Sequence, residues 1–142
     1  MALKYLVLNR DMEIIIFDTT RELYKFLRDT GGLETLQLFR DTPQKSIPAD
    51  NTGYVATNSK LEVLGAASLY EEEPGIWFNE LFEVAKEHQG KGIGRKLYEF
   101  IKADLEPSKI HGFCTTPENK SFWERMGQVC INQETNEMLE IL

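Results

Sequence analysis

Three glycines alternate with other residues near the middle of the chain, at Gly90, Gly92 and Gly94. An apolar, strand-like run (76–84) precedes them, and an amphipathic, helix-like run (93–105) follows. The first amides of a helix have no intrahelical partner, and the helix dipole adds about half a positive charge at that end. A strand, a glycine turn and a helix start therefore predict a binding site for a diphosphate group.

The residues around the glycines favour the same chemistry. Lys91 and Arg95 would bring positive charge to the turn. A P-loop requires Ser or Thr after its Gly-Lys pair, whereas Gly92 follows Lys91 here, and the dinucleotide fingerprint requires a different glycine spacing. The spacing that fits is Gln-x-x-Gly-x-Gly, which is met by Gln89, Gly92 and Gly94.

A second motif lies between Asn119 and Gly127, with the sequence Asn-Lys-Ser-Phe-Trp-Glu-Arg-Met-Gly. On these two segments the sequence resembles the GNAT superfamily of acyl-CoA-dependent N-acetyltransferases. The central motif of that family is Val-x-Pro-x-x-(Arg/Gln)-Gly-x-Gly-x-Gly, and residues 84–94 fit it except that Lys86 replaces Pro. The late helix of the family often has the pattern Asn-x-x-Phe-(Tyr/Trp)-Glu-Lys-x-Gly-Phe. Both motifs occur in the expected order.

The resemblance implies that acetyl-CoA is the cosubstrate. It implies transfer of an acetyl group to a primary amine, on a small molecule or a peptide, by direct attack in a ternary complex. The end of the strand before the glycines would bind pantetheine through its backbone, and the glycine turn would hold the pyrophosphate. The residues expected to bind the cosubstrate are Phe82, Val84, Gln89, Gly90, Lys91, Gly92, Ile93, Gly94, Arg95, Asn119, Phe122 and Trp123.

The late motif departs from the family in one chemically important position. Many members carry Tyr where Trp123 stands, and that Tyr protonates the leaving thiolate. The indole of Trp123 only donates a hydrogen bond, so any general acid must be another residue or water. Gln128 also replaces the usual Phe. A second function therefore stays open, in which a GNAT-like domain binds CoA or a protein partner without turnover.

Two carboxylates on the strand before the glycines are candidates for the general base, which acetyl transfer requires because only a free amine is nucleophilic. Counting by twos puts Glu80 between Phe78 and Phe82 on one face and Glu83 on the other. We expect the two rings to desolvate Glu80 and make its carboxylate a better proton acceptor. The alternative is an ion pair with Lys or Arg. A β-bulge in this strand would shift the count.

The length of 142 residues predicts one domain, 1–142, with a single core. The formal net charge of −7 argues against nucleic acid as the partner and suits a cationic amine acceptor. No run is long enough to cross a membrane, and the N-terminus lacks the apolar core of a signal peptide.

Composition leaves little support for a metal or a disulfide. His88 and His111 are far apart and lack the ligand spacing of a metal site. Cys114 and Cys130 both lie in strand-like runs, and a reduced, cytoplasmic protein is the simpler interpretation, although a disulfide stays open. The sequence does not decide the oligomeric state, and a homodimer stays open.

The remaining elements follow from periodicity and capping. Two β-prone runs, 3–8 and 14–17, are split by the turn-like residues 9–11 and form one opening strand or a hairpin. Thr19 and Glu22 form a capping box that predicts a helix start, and 33–40 predicts a second, short helix. Thr116 as N-cap and Pro117 at the first helical position predict the start of the late helix.

Residues 71–75 predict a turn. Its acidic run, 71–73, is typical of a solvated loop, and the alternative is an acidic lip that attracts a cationic acceptor. The predicted order is strand, two helices, three or four strands, helix, strand, helix, two strands. This order predicts a mixed, mostly antiparallel α/β sheet flanked by about four helices, similar to the GNAT fold.

Overall fold

The described helices of this protein pack on the two faces of one β-sheet. The computed structural model describes residues 4–9 and 12–142. The strands are β1 (Lys4–Asn9), β2 (Met12–Phe17), β3 (Thr52–Thr57), β4 (Val63–Glu73), β5 (Ile76–Val84), β6 (Lys109–Phe113), β7 (Val129–Asn132) and β8 (Glu137–Ile141). The α-helices are α1 (Thr20–Asp29), α2 (Gly32–Thr35), α3 (Gln37–Asp41), α4 (Ile93–Leu105) and α5 (Pro117–Arg125). Single 3-10 turns occupy Gln44–Ser46 and Lys86–His88.

The strands are arranged in the order β1-β2-β3-β4-β5-β6-β8-β7. Neighbouring strands are antiparallel except β5 and β6, which are parallel and are connected through α4. This confirms the predicted mixed, mostly antiparallel sheet with one parallel step. β1 and β2 pair antiparallel rather than forming one strand. The turn predicted between them includes residues 10 and 11, which lie outside the described part of the chain.

The two faces of the sheet are covered by different helices. We call the side covered by α1–α3 the front face, where Leu23, Leu27 and Phe39 pack against strand residues such as Val55. We call the opposite side the back face, where α4 packs through an apolar stripe that includes Leu97. A third cluster on the back face joins α5 to β6 and β8. The site described below lies where these clusters meet along β5.

Side-chain caps start the helices where the sequence predicts. The hydroxyl oxygen of Thr19 accepts a hydrogen bond from the Glu22 amide at 3.2 Å at the start of α1. The hydroxyl oxygen of Thr116 accepts from the Asn119 amide at 3.1 Å before Pro117 opens α5. Both predicted helix starts are confirmed.

Two boundaries differ from the sequence-based expectation. The helix predicted over 33–40 is divided at Leu36, whose φ of −105° and ψ of 89° leave the helical region while its side chain is fully buried. The turn predicted over 71–75 is shorter, because β4 continues to Glu73 and only Pro74 and Gly75 turn the chain into β5. In both places tertiary packing overrides the local pattern.

Three tyrosines, Tyr24, Tyr54 and Tyr98, are almost completely buried. Burial raises the pKa of Tyr24 from its usual value of 10.0 to about 12. Burial also raises the pKa of Tyr54 and of Tyr98, and hydrogen bonds from their hydroxyls to Asp104 and Glu140 raise these values further. The folded protein therefore holds these phenol protons more tightly than the unfolded chain does.

We expect alkali to destabilise the protein over a defined range. Because the folded pKa values are raised, the stability linked to these protons is complete below about pH 10 and is lost as pH rises through the folded values, about 12 for Tyr24. Each fully shifted group lowers the free energy of unfolding by about 1.4 kcal/mol per pH unit in that range. Urea unfolding at increasing pH measures the slope, and Tyr54→Phe should flatten it. Phenolate absorbance from all tyrosines near pH 10 in the folded protein would contradict the expectation.

Candidate active site

A β-bulge in β5 determines which way the site residues point. Ser68 of β4 is paired with Leu81, whereas the next residue, Leu69, is paired with Asn79, so Glu80 is an extra residue in β5. The alternation of side chains is inverted at this point.

The inversion changes the environment predicted for Glu80. Phe78 packs on the front face against Tyr70, with 5.2 Å between ring centroids, whereas Phe82 packs on the back face against Trp123 at 4.8 Å. The prediction that Glu80 shares one face with Phe78 and Phe82 is therefore wrong. Desolvation by that pair of rings does not act on Glu80.

Glu80 lies on the front face among buried, neutral polar groups. Its Oε1 accepts a hydrogen bond from Nδ2 of Asn51 at 3.2 Å, and the same nitrogen donates to the hydroxyl of Ser68 at 2.9 Å. Asn51 and Ser68 are 1% and 0% exposed, so they hold the carboxylate in a defined orientation. The ion pairs of the described chain do not include Glu80, which disfavours the predicted alternative of a Lys or Arg partner.

Glu83, the second candidate base, is engaged in a different interaction. Its Oε2 accepts a hydrogen bond from the Leu38 amide at 3.1 Å, and its Oε1 accepts from the Phe39 amide at 3.2 Å. These amides belong to the first turn of α3, where no residue of α3 or its N-cap supplies a side-chain acceptor. The Glu83 carboxylate therefore caps α3 and attaches this short helix to β5.

β5 and β6 separate on the C-terminal side of Asn79. Their parallel pairing covers Ile76–Asn79 and Lys109–Gly112, and β5 then continues to Val84. Gly112 is needed at the last pair, because a Cβ there would lie 2.9 Å from the Asn79 carbonyl oxygen. The separation opens a wedge between the end of β5 and the segment after β6, and we call it the cleft.

The narrow end of the cleft carries an unpaired polar group. A cavity of about 10 Å³ there is lined by Asn79 together with Cys114 and Trp123. The side-chain oxygen of Asn79 is buried and has no hydrogen-bond partner among the described groups. A buried polar atom without a partner is costly, so this position suits a ligand that supplies one. Cys114 and Cys130 are both free thiols.

The glycine turn before α4 has the geometry of an anion site. Gly90 and Gly92 have φ values of +79° and +81°, and a Cβ built on either would meet no atom within 4 Å. Gly92 is the N-cap of α4, and because it has no side chain it caps none of the first helix amides. Lys96 makes the first amide hydrogen bond of the helix, to the Gly92 carbonyl, which leaves the amides of 93–95 available to a ligand.

The charged and polar residues of the turn surround these amides. Lys91 is exposed, and the side chain of Arg95 is 54% exposed beside Glu99. The side-chain amide of Gln89 donates to the carbonyl of Val84 at 3.1 Å, which fastens the turn to the end of β5. An exposed helix N-terminus with two mobile cations is suited to a diphosphate.

The third glycine of the turn, Gly94, is required for a different reason, which is the space that a side chain would fill. A Cβ at Gly94 would lie 3.0 Å from the ring of Phe122 and 3.4 Å from a methyl group of Val84. The Phe122 ring therefore packs directly on the first turn of α4, at the end of β5. This contact joins the two sequence motifs in space.

Trp123 lies deeper than Phe122 in the same aromatic cluster. It is 7% exposed, and its ring centroid lies 4.8 Å from Phe82, 5.0 Å from Tyr98 and 4.9 Å from Phe122. Asn119, by contrast, lies on the exposed first turn of α5. The structure thus brings Phe82, Phe122 and Trp123 together at the cleft but leaves Asn119 at its surface.

An open pocket of about 520 Å³ lies beside the end of β5, lined by residues of α2 and α3 and by Glu83, Lys86 and Gln89. This pocket is distinct from the cleft between β5 and β6.

Two residues of the site, Asn51 and Asn79, were not predicted from the sequence. The sequence offered one indication for Asn79, which is a polar residue next to Glu80 in a largely apolar strand. Asn51 belongs to a loop, and nothing in its local pattern indicates a contact with β5.

The comparison with protein families identifies the class of protein. The family model described as an acetyltransferase (GNAT) domain matches residues 49–127. The match covers more than half of the chain and includes both the bulged strand and the glycine turn. The chain belongs to the GNAT acetyltransferase family, which confirms the resemblance. No curated protein matches this sequence.

Solved structures share the fold. An acetyltransferase from Thermus thermophilus is 16% identical with a TM-score of 0.67, covering 91% of this chain and 97% of that one. A GNAT family acetyltransferase from Staphylococcus aureus Mu50 is 13% identical with a TM-score of 0.65, covering 91% and 99%. A GNAT family acetyltransferase from Elizabethkingia anophelis with acetyl-CoA bound is 14% identical with a TM-score of 0.56, covering 65% and 76%. At these identities the likeness concerns the fold.

None of the helices in the described part of the chain has the length and apolar character needed to span a bilayer.

We expect Glu83→Ala to destabilise the protein by about 1–2 kcal/mol, because the α3 amides lose both acceptors. Glu83→Gln keeps one acceptor oxygen and should lose less. Urea unfolding measures the difference, and hydrogen exchange of the Leu38 and Phe39 amides should accelerate. Glu87→Ala, in the nearby exposed 3-10 turn, is the control. Equal stability of the Glu83 and Glu87 variants would contradict the capping role.

Proposed function

We propose that this protein transfers an acetyl group from acetyl-CoA to a primary amine by direct attack within a ternary complex. Family membership supports acetyl transfer in general. The observation that carries the finer proposal is the β5 bulge, which turns Glu80 to the front face at the point where the back-face cleft begins. Glu80 directly follows Asn79, the last residue of β5 that pairs with β6, so an amine held at Glu80 would reach a thioester in the cleft.

Acetyl-CoA fits the residues of the back face, and the Elizabethkingia anophelis structure with acetyl-CoA bound supports the assignment. The free amides of 93–95, with Lys91 and Arg95, would hold the pyrophosphate. The stretch of β5 beyond Asn79, which has no pairing with β6 in the described chain, would bind the pantetheine amides through its backbone. The unpartnered side chain of Asn79 would bind a polar group at the narrow end of the cleft.

Glu80 would accept the proton of the acceptor ammonium. The hydrogen bond from Asn51 occupies Oε1, so the other carboxylate oxygen stays available for this proton or for a bridging water. The bond from a neutral amide orients the carboxylate without neutralising its charge. In this arrangement Asn51 is a positioning residue and Glu80 is the catalytic base. The capping bonds of Glu83 favour a structural role for that carboxylate.

The free amine attacks the carbonyl carbon of the acetyl-CoA thioester. The departing CoA thiolate must then gain a proton. Trp123 is buried among aromatic rings and its indole is not an acid at neutral pH. Water entering the cleft is therefore the proton source that we propose. The absence of the usual Tyr favours one alternative function, a domain that binds acetyl-CoA without turnover.

Release of free CoA thiol from acetyl-CoA, measured with a panel of amines, peptides and aminoglycosides, separates the two functions. Thermal shift with acetyl-CoA reports binding in parallel. Stabilisation with acceptor-dependent thiol release supports the enzyme. Stabilisation without release from any acceptor supports a binding domain. No stabilisation at all would overturn both functions, since both depend on the cleft.

We expect Glu80→Gln to lower kcat/KM by about 10²–10⁴-fold, because the proton acceptor is lost while the shape is kept. The thermal shift with acetyl-CoA should not change. Asn51→Leu should lower kcat/KM less, because the carboxylate keeps its charge and loses only the donor that orients it. Glu134→Gln, exposed in the turn between β7 and β8, is the control. A Glu80→Gln enzyme with unchanged kcat/KM would exclude this base.

The glycine turn can be tested by binding alone. Lys91→Gln combined with Arg95→Gln should weaken acetyl-CoA binding by about tenfold or more, since charge-assisted bonds to phosphate are lost. The same variant should bind S-acetylpantetheine, which lacks the diphosphate, as the wild type does. Isothermal titration calorimetry measures both, and Lys96→Gln, on the exposed side of α4, is the control. Equal weakening for both compounds would place the effect outside the diphosphate site.

A further inference from the structure

A group of aromatic rings lies on the front face next to Glu80. Phe78 of β5 is at the centre, with 5.2 Å between its ring centroid and that of Tyr70, and 5.9 Å to that of Phe113. The helices of the front face contact β2, β3 and β5, while Phe113 on β6 remains 52% exposed. An aromatic surface of this kind, open to solvent and continuous with a catalytic centre, is available to bind an acceptor.

Two carboxylates border these rings. The His111 ring lies edge-on to Phe78 at 5.1 Å between centroids, and its Nδ1 is 3.0 Å from Oε2 of Glu137. Its Nε2 contacts Oε1 of Glu72. The two carboxylate side chains are 35% and 26% exposed, for Glu72 and Glu137 respectively, so both remain accessible from solvent. Among the described residues the second oxygen of each accepts no hydrogen bond, and a ligand can reach it.

The rings and carboxylates extend directly from the proposed base. Glu80 is two residues beyond Phe78 along β5, and His111 is paired with Phe78 on the adjacent strand. Strand geometry then separates Glu80 from the His111 position by roughly 8 Å. Burial raises the pKa of Tyr70, and the negative charges of Glu72 and Glu80 raise it further, which agrees with a continuous negative potential over these rings.

The chemistry of this surface defines an acceptor. Aromatic faces attract ammonium groups and pack against methylene chains, and carboxylates at the border add ion pairs. Within this surface the carboxylates of Glu72 and Glu137 share the His111 ring, and Lys109 lies two residues before His111 at the opposite end of β6. A neutral or anionic acceptor would gain little here. A molecule with one amine at Glu80 and a second cation at Glu72 and Glu137 would contact the proposed base, the aromatic rings and both carboxylates.

We propose that the acceptor is a linear aliphatic diamine or polyamine, with its reacting amine at Glu80 and its far ammonium held by Glu72 and Glu137 over the aromatic rings. This inference rests on the proposed acetyl transfer. Direct attack joins the near nitrogen to the acetyl carbon while the carbon–sulfur bond breaks, Glu80 takes the ammonium proton, and the far ammonium keeps its charge. Because the Cα positions of Glu80 and His111 are roughly 8 Å apart, a diamine of about five carbons is the length to test first.

The decisive comparison is between 1,5-diaminopentane and 1-aminopentane, which differ only in the far ammonium. We expect kcat/KM from CoA thiol release to be about tenfold or more higher for the diamine, the size of one partly buried ion pair with a cation–π contact. The double variant Glu72→Gln/Glu137→Gln should lose most of this preference, measured as the ratio of kcat/KM for the two amines. Glu118→Gln/Glu134→Gln, which removes the same charge at exposed positions, should keep the preference.

Binding of the diamine is followed separately from turnover by two-dimensional NMR of the wild-type protein saturated with CoA. We expect 1,5-diaminopentane to shift the amide signals of His111 and Phe113, and 1-aminopentane to shift them much less. Diamine shifts without thiol release from any amine would overturn the proposed acetyl transfer but support the diamine site. Thiol release with equal kcat/KM for both amines, or a preference lost equally in the control variant, would overturn the diamine site and leave acetyl transfer standing.

Discussion

The site depends on one extra residue in β5. In a regular strand Glu80 would share a face with Phe82 and point toward α4. The bulge opposite Ser68 and Leu69 instead turns Glu80 toward Asn51 on the front face while Phe82 stays on the back face. Bulges commonly redirect side chains beside active sites, and here one extra residue places the proton acceptor on the front face at the point where β5 separates from β6.

The same region solves a second physical problem, because a strand that leaves its neighbour exposes backbone groups. β5 loses β6 beyond Asn79, yet it remains paired with β4 as far as Val84. Glu83 joins it to α3, and the Gln89 side chain joins its last residue to the glycine turn. The free edge is thus held rigid from both sides, which preorganises a backbone surface for a ligand.

The sequence was sufficient for elements whose signal is local. Strand β5 and helix α4 begin and end at the predicted residues, and the Thr19 and Thr116 caps follow from side-chain chemistry alone. The bulge was not predictable, because a run of alternating residues is the same with or without one unpaired position. The roles of Asn51, Glu83 and Gly94 depend on partners between 28 and 45 positions away in the chain, which no local pattern encodes.

The contact between Gly94 and Phe122 makes the packing of two distant segments interdependent. A side chain at position 94 would need the space that the ring occupies, 3.0 Å from where its Cβ would stand. Lineages of this fold that carry a larger residue at the corresponding helix position should therefore carry a smaller one on the late helix, and hybrids that exchange only one segment should pack poorly. Glycine at position 94 is thus required by the aromatic ring of Phe122, and we expect the two residues to vary together.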